Sequence, residues 1–264
     1  MDGKPPKIFL PRPKSASHKG QNGVVLIIGG SKTYHGAPTL AALAAMRFCD
    51  LVYFYSNEEN ARVIKRMKIA TPNVICAPKG KLGFALEHAD CVLIGNGMDV
   101  SPKNRRLVEK ILRTKKKCVL DAAALKMANP AHLHENAILT PHAIEFKAAF
   151  GIPANEKSVA AASKKYGCTV LFKGKEDFIA SQGSLAKVGG GNAGMTKGGT
   201  GDVLAGLLAA IYAHPSCRSP LRAAYTASLL NKRAGGILFR IMKYNFSSED
   251  LALELSHAAW GLYK

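Results

Sequence analysis

The chain has 264 residues, 47% of them hydrophobic, and its 37 Lys and Arg against 18 Asp and Glu give a formal charge of +19. That apolar share supports a sizeable core and excludes a disordered chain. The most apolar stretches, such as 203–213, are too short to span a bilayer, and the first twenty residues hold no apolar leader segment. The excess charge admits nucleic acid, a polyanionic small molecule, or merely solvated basic faces such as Lys115-Lys116-Lys117 at a helix end. No RRM, KH or zinc-finger signature supports nucleic acid. Six scattered cysteines with no CxxC pair suit free thiols in a reducing cytoplasm, and neither Cys nor His stands at zinc-ligand spacing. His132 and His134 read as solvated loop histidines.

In chain order, short apolar runs alternate with helical patterns. "VVLII" at 24–28 reads as a buried strand, and a helix follows with Pro38 at its first position. Strands are expected at 51–55, 74–77, 91–94, 118–120, 137–139 and 168–172, with helices at 103–113 and 158–166 among them. This alternation predicts a mostly parallel sheet covered on both faces. Residues 178–180 and 185–188 then form a hairpin about Gln182-Gly183, and helices at 201–213, 220–241 and 248–262 close the chain. No linker or repeat divides it, so 1–264 reads as one domain, with 1–17 an irregular N-terminal segment.

Ligands of open α/β sheets bind beyond the carboxyl ends of the strands. Those ends carry Gly29-Gly30-Ser31, Gly95-Asn96-Gly97, Asp121, Thr140-Pro141-His142 and Lys173-Gly174-Lys175. "GNAGMTKGGTGDVLAG", at 191–206, places more bare backbone immediately before an apolar helix. It is neither a dinucleotide fingerprint, because a segment intervenes before the helix, nor a Walker A loop, because Gly198 follows Lys197. Gly198, Gly199 and Gly201 still let backbone N–H groups converge on an anion at a helix N-terminus. Asp202 beside that cradle has two readings. It is a favourable charge in a first helical turn, or it takes a proton from a hydroxyl attacking a phosphate.

"GMTKGGTGDVLAG" resembles the glycine-rich signature of the ribokinase-like superfamily, in its NAD(P)H-hydrate dehydratase branch. "HKGQNGVVLIIGGSKTYHGAPTLAALAAMR", "VLDAAALK" and "ILTPHAIEF" agree in order, so the resemblance covers about residues 18–257. It implies a ribokinase-like three-layer α/β sandwich. It also implies nucleotide-dependent dehydration of the S epimer of hydrated NAD(P)H, a lyase reaction that restores the cofactor and releases AMP and phosphate from ADP. ADP is preferred here to ATP as co-substrate, with Mg²⁺ as cofactor and no metal ligand assigned.

By the same resemblance Asp202 is the catalytic base and, with Ala37, Gly97 and His142, contacts the hydrate. Lys173, Gly174, Lys175, Glu176, Asp177, Gly198, Gly199, Thr200 and Gly201 hold the nucleotide. A separate NAD(P)H-hydrate epimerase, a cytoplasmic location and a homo-oligomer, tetrameric in relatives, are also implied, with no nucleic-acid or membrane partner. Asn96 departs from the family's usual Gly-Pro-Gly, and Ala143-Ile144 from its usual Pro-Gly. The alternatives are a hydroxymethylpyrimidine- or hydroxyethylthiazole-type kinase, and a basic nucleic-acid-binding protein.

Overall fold

Nine strands form one sheet in the order β3-β2-β1-β4-β5-β6-β7-β8-β9 in a computed structural model that describes residues 5–56, 60–62, 66, 73–78 and 80–263. The strands are β1 (Val24–Ile28), β2 (Leu51–Tyr55), β3 (Val74–Cys76), β4 (Cys91–Ile94), β5 (Lys117–Leu120), β6 (Ala137–Leu139), β7 (Thr169–Phe172), β8 (Asp177–Ser181) and β9 (Ser184–Val188). Pairs from β3 through β7 are parallel, and the β7–β8 and β8–β9 pairs are antiparallel. The helices described are α1 (Gly36–Ala45), α2 (Leu82–His88), α3 (Pro102–Arg113), α4 (Ala123–Met127), α5 (Ala143–Phe150), α6 (Glu156–Tyr166), α7 (Thr200–Ala213), α8 (Pro220–Met242) and α9 (Ser248–Trp260).

Two cores explain the near-continuous apolar strands. Val25, Ile27, Cys91 and Leu93 pack under α1, α7, α8 and α9. Leu26, Ile28, Val92 and Ile94 pack under α2 to α6 on the other face. Alternate residues of β1 and β4 thus enter different cores, and both faces of the sheet need apolar side chains. Strand order reverses between β1 and β4, each of which neighbours the other while β1 also carries β2. The loops after these strands meet at that switch point: the Gly30 N–H donates to the Asn96 carbonyl at 2.8 Å, and a Cβ on Gly29 would lie 2.5 Å from that oxygen.

Several expectations shift. The helix after β1 begins at Gly36, so Pro38 is its third residue; a missing N–H costs nothing there, because first-turn N–H groups lack intrahelical partners. His134 is buried at 3% exposure rather than solvated. Its Nδ1 accepts from the Asn136 N–H and burial lowers its pKa, because its loop folds back against β5 near Cys118. His132 pairs with Glu109. The basic run is not a free face either. Lys116 Nζ donates to the Glu87 and Ala89 carbonyls. Lys117 Nζ donates to the carbonyls of Tyr212, His214 and Cys217, closing the C-terminal end of α7. All six cysteines are free thiols. No described helix is long and apolar enough to cross a membrane.

Candidate active site

Parallel strands deliver their following residues to one edge, and there the structure builds a polar cluster around Asn96. Gly95 makes this possible: its φ is 124°, and a Cβ on it would lie 1.9 Å from the Asp121 carbonyl oxygen. The chain can therefore turn under the Asp121 loop and bury Asn96 completely. Asn96 Nδ2 donates to Asp121 Oδ2 at 2.9 Å and to Asp202 Oδ1 at 2.6 Å. Asp121 Oδ1 accepts from Lys173 Nζ and from Thr140 Oγ1, each at 2.8 Å. Lys173 Nζ also stands 3.8 Å from Glu145 Oε2.

Asp202 enters from the first turn of α7. Gly199 is the N-cap of that helix, in the left-handed region at φ 95°, and no side chain caps it. The Asp202 carboxylate is a favourable charge in that first turn, makes no capping hydrogen bond, and turns to Asn96. Its oxygen Oδ2 has no hydrogen-bond partner among the described residues. Burial, then the Asp121 charge, push this carboxyl up to about 6, while the Asn96 hydrogen bond and the Lys173 ammonium pull against them. Burial alone would lower Lys173; Asp121 and Glu145 outweigh it and hold its ammonium above the ordinary lysine range. The edge thus presents a carboxylate tuned close to neutrality next to a locked cation, the property of a general base.

A cleft of about 900 Å³ adjoins this cluster. Lys173–Asp177 form one wall, 189–196 another, and Gly201 lies at the end nearest Asp202. A Cβ on Gly201 would sit 3.4 Å from Lys173 Nζ, which measures how close the cleft comes to the cluster. As first-turn residues of α7, Gly201 and Asp202 have N–H groups without intrahelical acceptors, aimed where an anion would lie. Thr200 spends its hydroxyl on the Met195 and Lys197 carbonyls at 2.7 and 2.9 Å, bracing the glycine loop.

The other expected residues divide. Lys173, Gly174, Lys175, Glu176, Asp177, Thr200 and Gly201 all line the cleft. Gly198 is exposed and Gly199 half-buried, directly before α7. Asp177 is buried and already committed: Oδ1 accepts from the Gly174 N–H at 2.9 Å, and Oδ2 from Ser228 Oγ at 2.7 Å. Ala37 lies in the first turn of α1, whose Pro38 packs against Gly97: a Cβ there would lie 3.2 Å from Pro38 Cδ. His142 is the N-cap of α5: its Nδ1 accepts from the Glu145 N–H while Glu145 Oε2 accepts from the His142 N–H. Its side chain is thus engaged in capping α5, and its ring is half-exposed.

Sequence reasoning misses Lys232. It is buried on α8, and its Nζ donates to the Gly174 and Lys175 carbonyls at 3.0 and 3.1 Å and pairs with Asp177 Oδ1 at 3.2 Å. The available signal is a lysine adjoining the buried stripe Ala223, Ala227, Leu230, Ala234 and Leu238 of an amphipathic helix. Among the described residues no group of three or more His, Cys, Asp or Glu side chains could hold a metal ion. Asp121 and Glu145 are both drawn to Lys173 instead.

Comparison with known proteins adds to this geometry. Residues 25–256 match the family model described as NAD(P)H-hydrate dehydratase. The ADP-dependent (S)-NAD(P)H-hydrate dehydratase of Nitrosopumilus maritimus is 36% identical over 95% of this chain and 93% of its own length. Bifunctional NAD(P)H-hydrate repair enzymes of Methanocaldococcus jannaschii and Archaeoglobus fulgidus are 37% and 36% identical over 90% and 92% of this chain, which spans 48% and 52% of their own length. A Bacillus subtilis ADP/ATP-dependent NAD(P)H-hydrate dehydratase, co-crystallised with ATP and Mg²⁺, superposes with a TM-score of 0.85 at 24% identity, covering 97% of this chain and 95% of that one. A ribokinase-like superfamily protein from Enterococcus faecalis superposes with a TM-score of 0.85 at 23% identity, covering 96% of this chain and 92% of that one. The ribokinase-like architecture expected from the motifs is the one observed.

Proposed function

This chain belongs to the NAD(P)H-hydrate dehydratase family, and on that premise we propose that the Asp202 cluster and its cleft carry out ADP-dependent dehydration of (S)-hydrated NAD(P)H. The observation that carries the assignment is the Asp202 carboxylate, held by Asn96 in the cluster of Asp121 and Lys173, in the first turn of α7 directly after Gly201 of the nucleotide cleft. The hydrate's hydroxyl gives its proton to Asp202 Oδ2, and the hydroxyl oxygen bonds to the terminal phosphorus of ADP. The bond from that phosphorus to the AMP oxygen breaks. The resulting ester then loses phosphate with the carbon–oxygen electron pair, the neighbouring ring carbon releases a proton, and the ring double bond re-forms.

Phosphoryl transfer asks the protein mainly for positioning and charge compensation. Lys173, shared by cluster and cleft, supplies the cation, and the Gly201 and Asp202 N–H groups supply donors for the transferring group. Ala37, Gly97 and His142 would contact the hydrate. Gly174, Lys175 and Glu176 line the nucleotide side, where Asp177 and Lys232 set the loop's shape. Mg²⁺ would be held mainly by the nucleotide, offsetting its phosphate charge; among the described residues no group of three or more His, Cys, Asp or Glu side chains would hold it.

Sheet and helices of the described residues share two continuous cores, which supports reading the chain as one catalytic domain. A separate NAD(P)H-hydrate epimerase is the partner we expect to supply the S form. Free thiols suit the cytoplasm, and a homo-oligomer is the assembly we expect. The test is chemically hydrated NADH with ADP and Mg²⁺, followed at the reduced-nicotinamide absorbance. NADH, AMP and phosphate should appear in equal amounts. No turnover with ADP or ATP, together with phosphorylation of a pyrimidine or thiazole alcohol, would overturn the reading in favour of a small-alcohol kinase.

A further inference from the structure

We propose that Asn96 is a positioning residue for the reaction: its side-chain amide holds one carboxylate oxygen of Asp202 beside Asp121 and leaves the other to face the hydrate. The inference rests on the function proposed above. Both hydrogens of Nδ2 are spent on carboxylates, one on Asp121 Oδ2 and one on Asp202 Oδ1. Asn96 Oδ1 is buried and has no hydrogen-bond partner among the described residues. A buried amide with an unsatisfied carbonyl is unfavourable unless its orientation is dictated by something stronger. Here two flanking carboxylates dictate it, because an amide oxygen turned towards either would meet another acceptor.

The backbone is held as firmly as the side chain. Asn96 O accepts from the Gly30 N–H at 2.8 Å, joining the loops after β1 and β4 across the switch point. The amide therefore stands on two strand ends and reaches to α7, so Asp202 is fixed by residues far from it in sequence. The hydrogen bond from Asn96 favours the charged form of Asp202. The groups facing Asp202 are Asp121 after β5, Glu145 on α5, Lys173 after β7 and Asn96 itself. Asp121 and Glu145 oppose its ionisation, whereas Lys173 and Asn96 favour it. Without Asn96, Lys173 and the N-terminal end of α7 would remain to do so.

The experiment compares wild type with Asn96→Leu, which keeps the size and removes both donors. Two quantities are read: the titration of the Asp202 carboxyl by carbon NMR, assigned through Asp202→Asn, and the pH dependence of kcat for hydrated NADH with ADP. Loss of the bridge should move the carboxyl titration up by about one pH unit or more, and the acid limb of kcat with it. At a pH on that limb kcat should drop about tenfold or more. Should the leucine variant not fold, Asn96→Ala, which only removes atoms, is read by the same two measurements. A carboxyl titration that stays in place would overturn the inference, as would a kcat lowered equally at every pH with its limb unmoved. If the titration moves while the wild type fails to turn over the hydrate, the bridge stands and the proposed reaction falls.

Discussion

Asp202→Asn separates the two roles open to this residue, because they predict opposite signs in stability. Were Asp202 a helix cap, its loss would cost up to about 1 kcal/mol, and Asn, an equally good cap, would cost less. The structure gives it no capping bond and instead buries a carboxyl raised from 3.8 to about 6. That rise is a penalty on the charged form of about 3 kcal/mol at a pH well above both values. A carboxyl whose pKa is raised by folding contributes fully below its unfolded value, and stability is lost as the pH climbs through the folded one. Asn carries no such penalty. The variant should therefore be more stable than wild type by about 2–3 kcal/mol at pH 7.5, and the advantage should fade between about pH 6 and 4. Activity should move the other way, with kcat at least about 100-fold lower, because no group then accepts the hydroxyl proton. The assay is denaturant unfolding at pH 7.5 and 4.5 alongside kcat with hydrated NADH and ADP. A variant that is less stable at pH 7.5, or one with near-normal kcat, would refute the reasoning.

The two glycines before Asp202 should behave differently. Gly199→Ala meets Leu40 Cδ1 at 2.4 Å with φ at 95°, so it should cost about 1–3 kcal/mol of stability, measured by thermal unfolding. Gly201→Val points its side chain at Lys173 in the cleft, and should weaken AMP binding about tenfold by calorimetry while the melting temperature holds. Lys232→Met strips the Gly174 and Lys175 carbonyls and Asp177 of their shared cation; KM for ADP should rise several-fold with KM for the hydrate unchanged. Finally, the charge of +19 should draw polyanionic substrates to the cleft, so KM for the hydrate should rise between low and physiological ionic strength.

How much of this can be read from residues alone follows from what each signal depends on. Strands β1, β4 and β7 are plain in the sequence because every residue in them is buried, which parallel pairing under two helical layers demands. Helix α7 is plain for the same reason. Strand order is not, since it is set by which crossover passes over which face, and no local pattern records that. His134 defeats a local reading because a polar loop composition says nothing of the loop's folding back onto β5. The site shows the same division more sharply. A parallel sheet sends every strand's following residue to one edge, so Gly95-Asn96-Gly97, Asp121, Thr140 and Lys173 are recognisable together as a candidate set. Their pairings are not, because Asn96 meets partners 25 and 106 residues away. The chemistry resides in those pairings. Taken singly, Asp202 is an ordinary acid in a first helical turn. Placed beside Asp121, bridged by Asn96 and faced by Lys173, it becomes a carboxyl tuned to about 6 with one oxygen held and the other free. Composition supplies the groups; the register of distant strand ends decides which of them meet.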